Sequence, residues 1–410
     1  MEGARKLIIP LIALVAIGCH GSADAPYGKY ADEPSPYVPN GASSNAFDAY
    51  VLAAGEAQAA VASTGVNPLG RSFFTPKQRE KIVQALQPAL RRVASATGAC
   101  EFHYVPPKPG ATSPYRAEWR LLGHALRWQI DDELALPTAD AALVTTAVAM
   151  RFAGDLCGGG PADRTLGVEI ANDVREALIP ALSKLSASDL HRLADAVKQG
   201  LLRRPPLAKS FDYGQADMAL ALQTLQDEFQ KNDYSPIKTA MGKEFRDLES
   251  PLEEFRKNGK KRAAFFDSLN DDLKNLSDVW RKAAALPTAE RGELLRVKLK
   301  GEKARRAFDR HFFLIGRPLL QIEDRSVAQL RLLILEAELR RVAKQSGRAP
   351  ANLAKVSKPW GIDPYNGRTF GYQPDGAEFR VYSVGTNLKD DLGDTDDAGL
   401  EPDIRTVQPG

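Results

Sequence analysis

Cysteine is scarce in this sequence, with three in 410 residues, Cys19, Cys100 and Cys157. That excludes a disulfide-dense framework and leaves no closely spaced thiol pair for zinc. The five histidines, His20, His103, His124, His191 and His311, include no His-Glu-x-x-His spacing. Nucleophile elbows of the form Gly-x-Ser-x-Gly, phosphate-cradling Gly-x-x-x-x-Gly-Lys loops and dinucleotide fingerprints are lacking as well. Neither sign of charge dominates: 55 Lys and Arg against 52 Asp and Glu leave +3, so nothing demands nucleic acid as a partner. The longest apolar run, Leu7 to Ile17, falls well short of the roughly 20 residues a spanning helix needs.

What stands at the N-terminus is an export signal. Arg5 and Lys6 precede that short apolar run, and Gly18-Cys19 closes it, the plan of a secretory leader over residues 1–18. Ala16-Ile17-Gly18-Cys19 resembles the lipobox of bacterial lipoproteins, although Ala16 stands where that family usually has Leu. The resemblance implies cleavage before Cys19, lipidation of Cys19, and a membrane anchored through that lipid as a partner in the cell envelope, facing the periplasm or the cell surface. Residues 19–44 are rich in Pro, Gly, Ser and Ala without a hydrophobic period, which suits a flexible tether. With Cys19 lipidated, Cys100 and Cys157 remain as an even pair in an oxidising compartment. They are expected either to bond to each other or to stay as two buried thiols.

From residue 45 to about 320 the dominant period is helical. Trp119, Leu122, Leu126 and Ile130 share one helix face, as do Leu190, Leu193, Val197 and Leu201, then Met218, Leu222, Leu225 and Phe229, and then Phe266, Leu269, Leu273, Leu276 and Trp280. Ser186 to Asp189 reads as a capping box, Thr138 as a helix start, and Gly158-Gly159-Gly160-Pro161 as a stop. Pro88 interrupts a helical pattern and is expected to kink it. The basic stretch Arg256 to Arg262 reads as a solvated loop between helices. The expected fold is mainly α, an irregular helical bundle or array, with a small C-terminal module of a helix plus a β-hairpin. That module takes residues 326–410, beginning with a helix whose inward positions are Val327, Leu330, Ile334 and Ala337. Its hairpin is expected to turn at Pro374 to Gly376.

A helix leading into Asp363-Pro364, two short strands, Tyr382-Ser383-Val384-Gly385 and an Asp/Gly-rich loop together resemble the C-terminal part of the major pseudopilin of type II secretion. They also resemble a set of secreted proteins, from bacteria such as planctomycetes, that end in this module. The resemblance covers roughly residues 326–404 and implies a calcium-binding loop, here with Asp394, Asp396 and Asp397 as ligands. Clustered carboxylates suit calcium, which takes six to eight oxygens in flexible geometry. Counting from Asp394, the spacing is not that of an EF-hand, since the fifth position is Ala398 and the twelfth Arg405. The other reading of the stretch is a plain acidic tail. No prepilin-type N-terminus accompanies the module, so assembly into a pilus is not implied. Carboxylate runs such as Asp131-Asp132-Glu133 read as solvated helix faces, since neighbours on a helix point apart. The function expected is a non-enzymatic, lipid-anchored envelope protein with a helical interaction or structural domain and an envelope protein as possible partner. The alternatives are an envelope hydrolase with dispersed catalytic residues and an accessory of a secretion system.

Overall fold

The computed structural model describes residues 44–64, 74–105, 115–230, 253–254, 257–296, 303–355, 360–393 and 404–405. The side chains of 221, 224–225, 228–230, 303–304 and 306–315 lie outside that description, as do residues 1–43, on which the expected signal and most of the expected tether fall. Nine helices stand among the described residues: α1 Ala46–Ala62, α2 Pro76–Ala99, α3 Arg116–Leu134, α4 Asp140–Leu156, α5 Pro161–Leu178, α6 Ala187–Arg203, α7 Leu207–Gln230, α8 Gly259–Ala284 and α9 Lys303–Ser346. They are followed by an antiparallel sheet in the order β1 (Gly371–Asp375), β2 (Glu378–Ser383), β3 (Ile404–Arg405). The chain is therefore mainly α with a small β module. No helix among the described residues is long and apolar enough to cross a membrane.

Local chemistry sets most boundaries. Asn45 opens α1 by accepting from the Phe47 amide at 3.0 Å, and the same side chain donates to the His103 carbonyl at 2.8 Å. Thr75 and Gln78 close a capping box on α2, and Ser186 and Asp189 close the expected one on α6. Gly158 to Gly160 separates α4 from α5, with Pro161 as the first residue of α5, where its missing N–H costs nothing. Two boundaries differ from expectation. Thr138 does not start α4, which begins at Asp140 behind an Ala139 that offers no side-chain cap. The basic stretch is not a loop throughout, because the Asn258 side chain accepts from the Lys260 and Lys261 amides and starts α8 inside it.

Helices α1 to α6 enclose the main core, where Trp119, Leu122, Ile130, Leu190, Leu193 and Val197 are all fully buried. Glycines let α4 and α6 approach closely. A Cβ on Gly154 would stand 2.3 Å from the Gly200 carbonyl oxygen, and one on Gly200 would stand 2.7 Å from that of Met150.

Helix α9 runs across the expected division near residues 320–326. One helix of 44 residues, about 66 Å long at the usual rise, runs straight through that boundary with Pro318 inside it. Its C-terminal half is apolar on two opposite faces. Leu330, Leu333, Ile334 and Ala337 enter the main core, while Leu332, Leu335 and Leu339 form a second cluster with Phe370 and Val381 of the β module. Each set is an i, i+3, i+4, i+7 type of stripe, and the two are about half a turn apart at 100° per residue.

The hairpin also differs by a residue or two from the sequence reading. Pro374 and Asp375 belong to β1, paired with Phe379 and Glu378, and the turn is Gly376-Ala377. Gly376 has φ +60 and Ala377 is not among the positive-φ residues, as a two-residue II′ turn requires. β1 is an edge strand, which is where a proline is tolerated.

Candidate functional site

The densest chemistry gathers around the Gly158 to Gly160 loop. Asp155, in the last turn of α4, accepts from the Tyr50 hydroxyl at 2.6 Å and from Arg203 Nη1 at 3.3 Å. Burial pushes its carboxyl up to about 6, against the Tyr50 hydrogen bond and the Arg203 charge, which both lower it. Tyr50 is raised well above the ordinary phenol value, by burial first and then by the neighbouring Asp155 charge.

Just beyond that loop, Arg164 of α5 grips Glu323 of α9 with two parallel bonds, Nε to Oε2 at 3.1 Å and Nη2 to Oε1 at 2.8 Å. Its remaining nitrogen donates to the Cys157 and Pro205 carbonyls and to Ser210 Oγ. Burial works to raise the Glu323 carboxyl, yet Arg164 and Arg204 outweigh it and hold the group below the usual range. A third pair, Arg116 with Asp163 at 2.5 Å, ties α3 to the first turn of α5 beside Tyr104. Tyr50, Asp155 and Arg164 are each 1 % exposed or less, and each spends its polar atoms on partners within the protein. Their chemistry is that of cross-helix staples: desolvated charges held only because each has a partner and further hydrogen bonds.

A second polar centre fixes the C-terminal module. The Asp363 carboxylate is fully buried and accepts from the Tyr365 amide at 2.9 Å and the Val384 amide at 3.0 Å. It thus joins the Asp363 to Gly367 turn to the end of β2. Burial raises it, and those amide bonds, Ser383 and Arg331 pull the other way. Beyond β2, Tyr382 donates to Asp390 at 2.9 Å, Asn387 donates to Asp391 at 2.9 Å, and Arg380 donates to the Leu392 carbonyl. Leu388 and Leu392 hold φ near +60, a costly region for branched side chains. The predicted calcium ligands Asp394, Asp396 and Asp397, and the predicted lipidation site Cys19, lie outside the described residues.

The third centre is on the surface, between α6 and α9. His191 Nε2 lies 3.4 Å from Asp195 and its Nδ1 3.6 Å from Glu338. Lys198 Nζ lies between the same two carboxylates, 3.1 Å from Asp195 and 2.9 Å from Glu338, and Arg341 Nε binds the other Glu338 oxygen at 2.8 Å. Burial tends to raise Glu338, but the bonds from Lys198 and Arg341 prevail and lower it.

Of the two outcomes expected for Cys100 and Cys157, the structure holds free thiols, Cys157 buried and Cys100 partly so. Cys157, fully buried at the end of α4, directs its sulfur to the Arg164 carbonyl at 3.8 Å on α5. Cys100 ends α2, where its carbonyl accepts from Arg203. In the carboxylate run Asp131-Asp132-Glu133, Asp131 pairs with Arg127 one turn away on the same helix, while Asp272 of α8 pairs across to Arg305 of α9. Sequence reasoning missed Tyr50, Asp155, Arg164 and Glu323, whose partners lie as far as 159 residues away and leave no local signal. Comparison with known proteins gives no match among protein families, curated proteins or solved structures.

Proposed function

We propose that this protein is a non-enzymatic lipoprotein of the bacterial envelope, held to a membrane through Cys19, with a helical body that serves as an interaction or structural scaffold. One observation carries this reading: four perturbed ionisable groups of the body pair off inside the fold, Tyr50 with Asp155 and Arg164 with Glu323. Perturbed groups lining an open cleft would favour catalysis, whereas here the perturbation is the cost of stapling helices together. The signal segment, the lipobox-like tetrapeptide and the tether supply the address. In this reading the C-terminal module is pseudopilin-like, and calcium bound by Asp394, Asp396 and Asp397 orders the loop that precedes β3.

Expression of the full chain in a bacterial host fed a clickable fatty acid tests the anchor. Wild-type protein is expected to carry the label and sediment with membranes, and Cys19→Ala to lose both; label retained in Cys19→Ala refutes the lipobox. Melts with calcium and then with chelator test the loop. Calcium at about 100 times its Kd adds ~2.7 kcal/mol to the unit that binds it, a gain that the triple Asp→Ala variant at 394, 396 and 397 is expected to lack. The same melt in both proteins makes the stretch a plain acidic tail.

A further inference from the structure

We propose that His191, Asp195 and Glu338 form a surface site for a divalent transition-metal ion, one that clamps α6 to α9 where Lys198 now bridges them. The three residues reach a common point because α6 places His191 and Asp195 one turn apart, while α9 brings Glu338 up beside them. One donor atom from each lies within 4.8 Å of the other two. His191 Nε2 lies 3.4 Å from Asp195, while the 3.6 Å contact to Glu338 is made by the other ring nitrogen, Nδ1, so the ring must turn to present one nitrogen to an ion held by both carboxylates. Tetrahedral zinc, with bonds of about 2.0 to 2.2 Å, sets its ligands roughly 3.4 Å apart. His191 and Asp195 are more than half exposed, so rotation of either side chain is free to close the remaining distance, and solvent is at hand for the fourth ligand. One imidazole nitrogen with two carboxylate oxygens suits zinc and its first-row neighbours better than calcium or magnesium, which take oxygen alone.

The Lys198 ammonium shows that a cation is accommodated at this position, within 3.1 Å of both carboxylates. It is also the competitor, and it sits on a long flexible stem that can swing into water. Metal binding is therefore an exchange of one cation for another, and it joins α6 to α9 by coordination bonds in place of the Lys198 ion pairs with Asp195 and Glu338.

Zinc titration of the full chain, followed by isothermal calorimetry and by competition against cobalt absorption, with calcium in excess to keep the acidic loop filled, tests the site. One zinc per chain is expected in the wild type, and its loss in His191→Ala, whose exposed side chain contributes little to folding. Lys198→Met removes a positive charge a few ångströms from the dication and is expected to tighten binding about tenfold. Zinc bound equally by wild type and His191→Ala, or bound by neither wild type nor Lys198→Met at millimolar metal, overturns the proposal.

Discussion

Asp155 makes stability fall as pH rises through the mildly acidic range. Its carboxyl is raised from an ordinary value of 3.8 to about 6 in the folded chain, so between those values the native state holds a proton that the unfolded state has released. Stability therefore falls as pH rises through this window, because the unfolded state binds fewer protons than the native one. The contribution is fully present below about pH 4 and lost by somewhat above pH 6. A carboxyl raised that far accounts for about 3 kcal/mol between the two ends of the window, an upper figure because other groups of the same node respond to the change. Asn at position 155 keeps the shape and an acceptor for Tyr50 but cannot titrate. Equilibrium unfolding in urea at a series of pH values from 4 to 7 is expected to show a wild-type decline that Asp155→Asn lacks. The difference between the two curves isolates this group from Asp324, Glu336 and Asp363, which burial also raises. Tyr50→Phe provides the control of opposite sense. It removes the 2.6 Å bond that holds Asp155 down, so the window moves to higher pH, and at pH 7 it costs about 1 to 3 kcal/mol for a buried acceptor left short. Parallel pH curves for wild type and Asp155→Asn would refute this account of the node.

Breaking the Arg164–Glu323 grip on one side, as in Glu323→Gln, is expected to cost about 3 to 5 kcal/mol in chemical unfolding, whereas replacing both partners by Met and Leu costs much less, since no charge is stranded. Gly154→Ala forces a methyl against the Gly200 carbonyl and is expected to lower stability by about 1 to 3 kcal/mol, seen as a lower Tm, with Gly55→Ala, a helical glycine whose added methyl meets nothing, as the control expected to gain up to about 1 kcal/mol from helix propensity. Asp363→Asn cannot accept from both the Tyr365 and Val384 amides without turning its own N–H groups on one of them; faster proteolysis between residues 360 and 393 than in wild type is the expected reading.

Wherever one helix face meets the core, the sequence is legible, because periodicity is local. Trp119, Leu122, Leu126 and Ile130, or Leu190, Leu193 and Val197, need only their own spacing to be placed inside. Ser186 and Asp189 are three residues apart and announce their cap. The staples are not legible, since Arg164 and Glu323 carry no mark of each other across 159 residues, and a charged residue four positions into a helix reads as solvated. The continuity of α9 across residue 320 is hidden for a related reason: its C-terminal half is apolar on two faces, and the second stripe is answered only by the distant β module. At Thr138, a good capping residue stands near a helix end without being used, because propensity describes what a side chain can do and tertiary packing decides where the helix begins.

That double burial of α9 predicts how the whole chain unfolds. Leu332, Leu335 and Leu339 are fully buried under the β module, and each fully buried leucine contributes about 1.5 to 3 kcal/mol, so uncovering the three costs roughly 5 to 9 kcal/mol. A domain's total stability is only about 5 to 15 kcal/mol. The body cannot retain α9 as a helix with that face in water and stay soluble and folded, nor can the module keep its cluster if α9 leaves the body. Arg291 pairs with Asp324 of α9, and the Thr288 and Ala289 amides donate to the Pro364 and Tyr365 carbonyls, so the segment between α8 and α9 is stitched both to α9 and to the module. Scanning calorimetry of the mature chain is thus expected to give one transition in which α9, the main core and the sheet melt together, with van't Hoff and calorimetric enthalpies in agreement. A chain ended at Ser346 is expected to bind a hydrophobic dye and aggregate. Two well-separated transitions, or a truncated chain as stable as the whole, would mean that α9 belongs to the helical body alone and that its second apolar face serves some other contact.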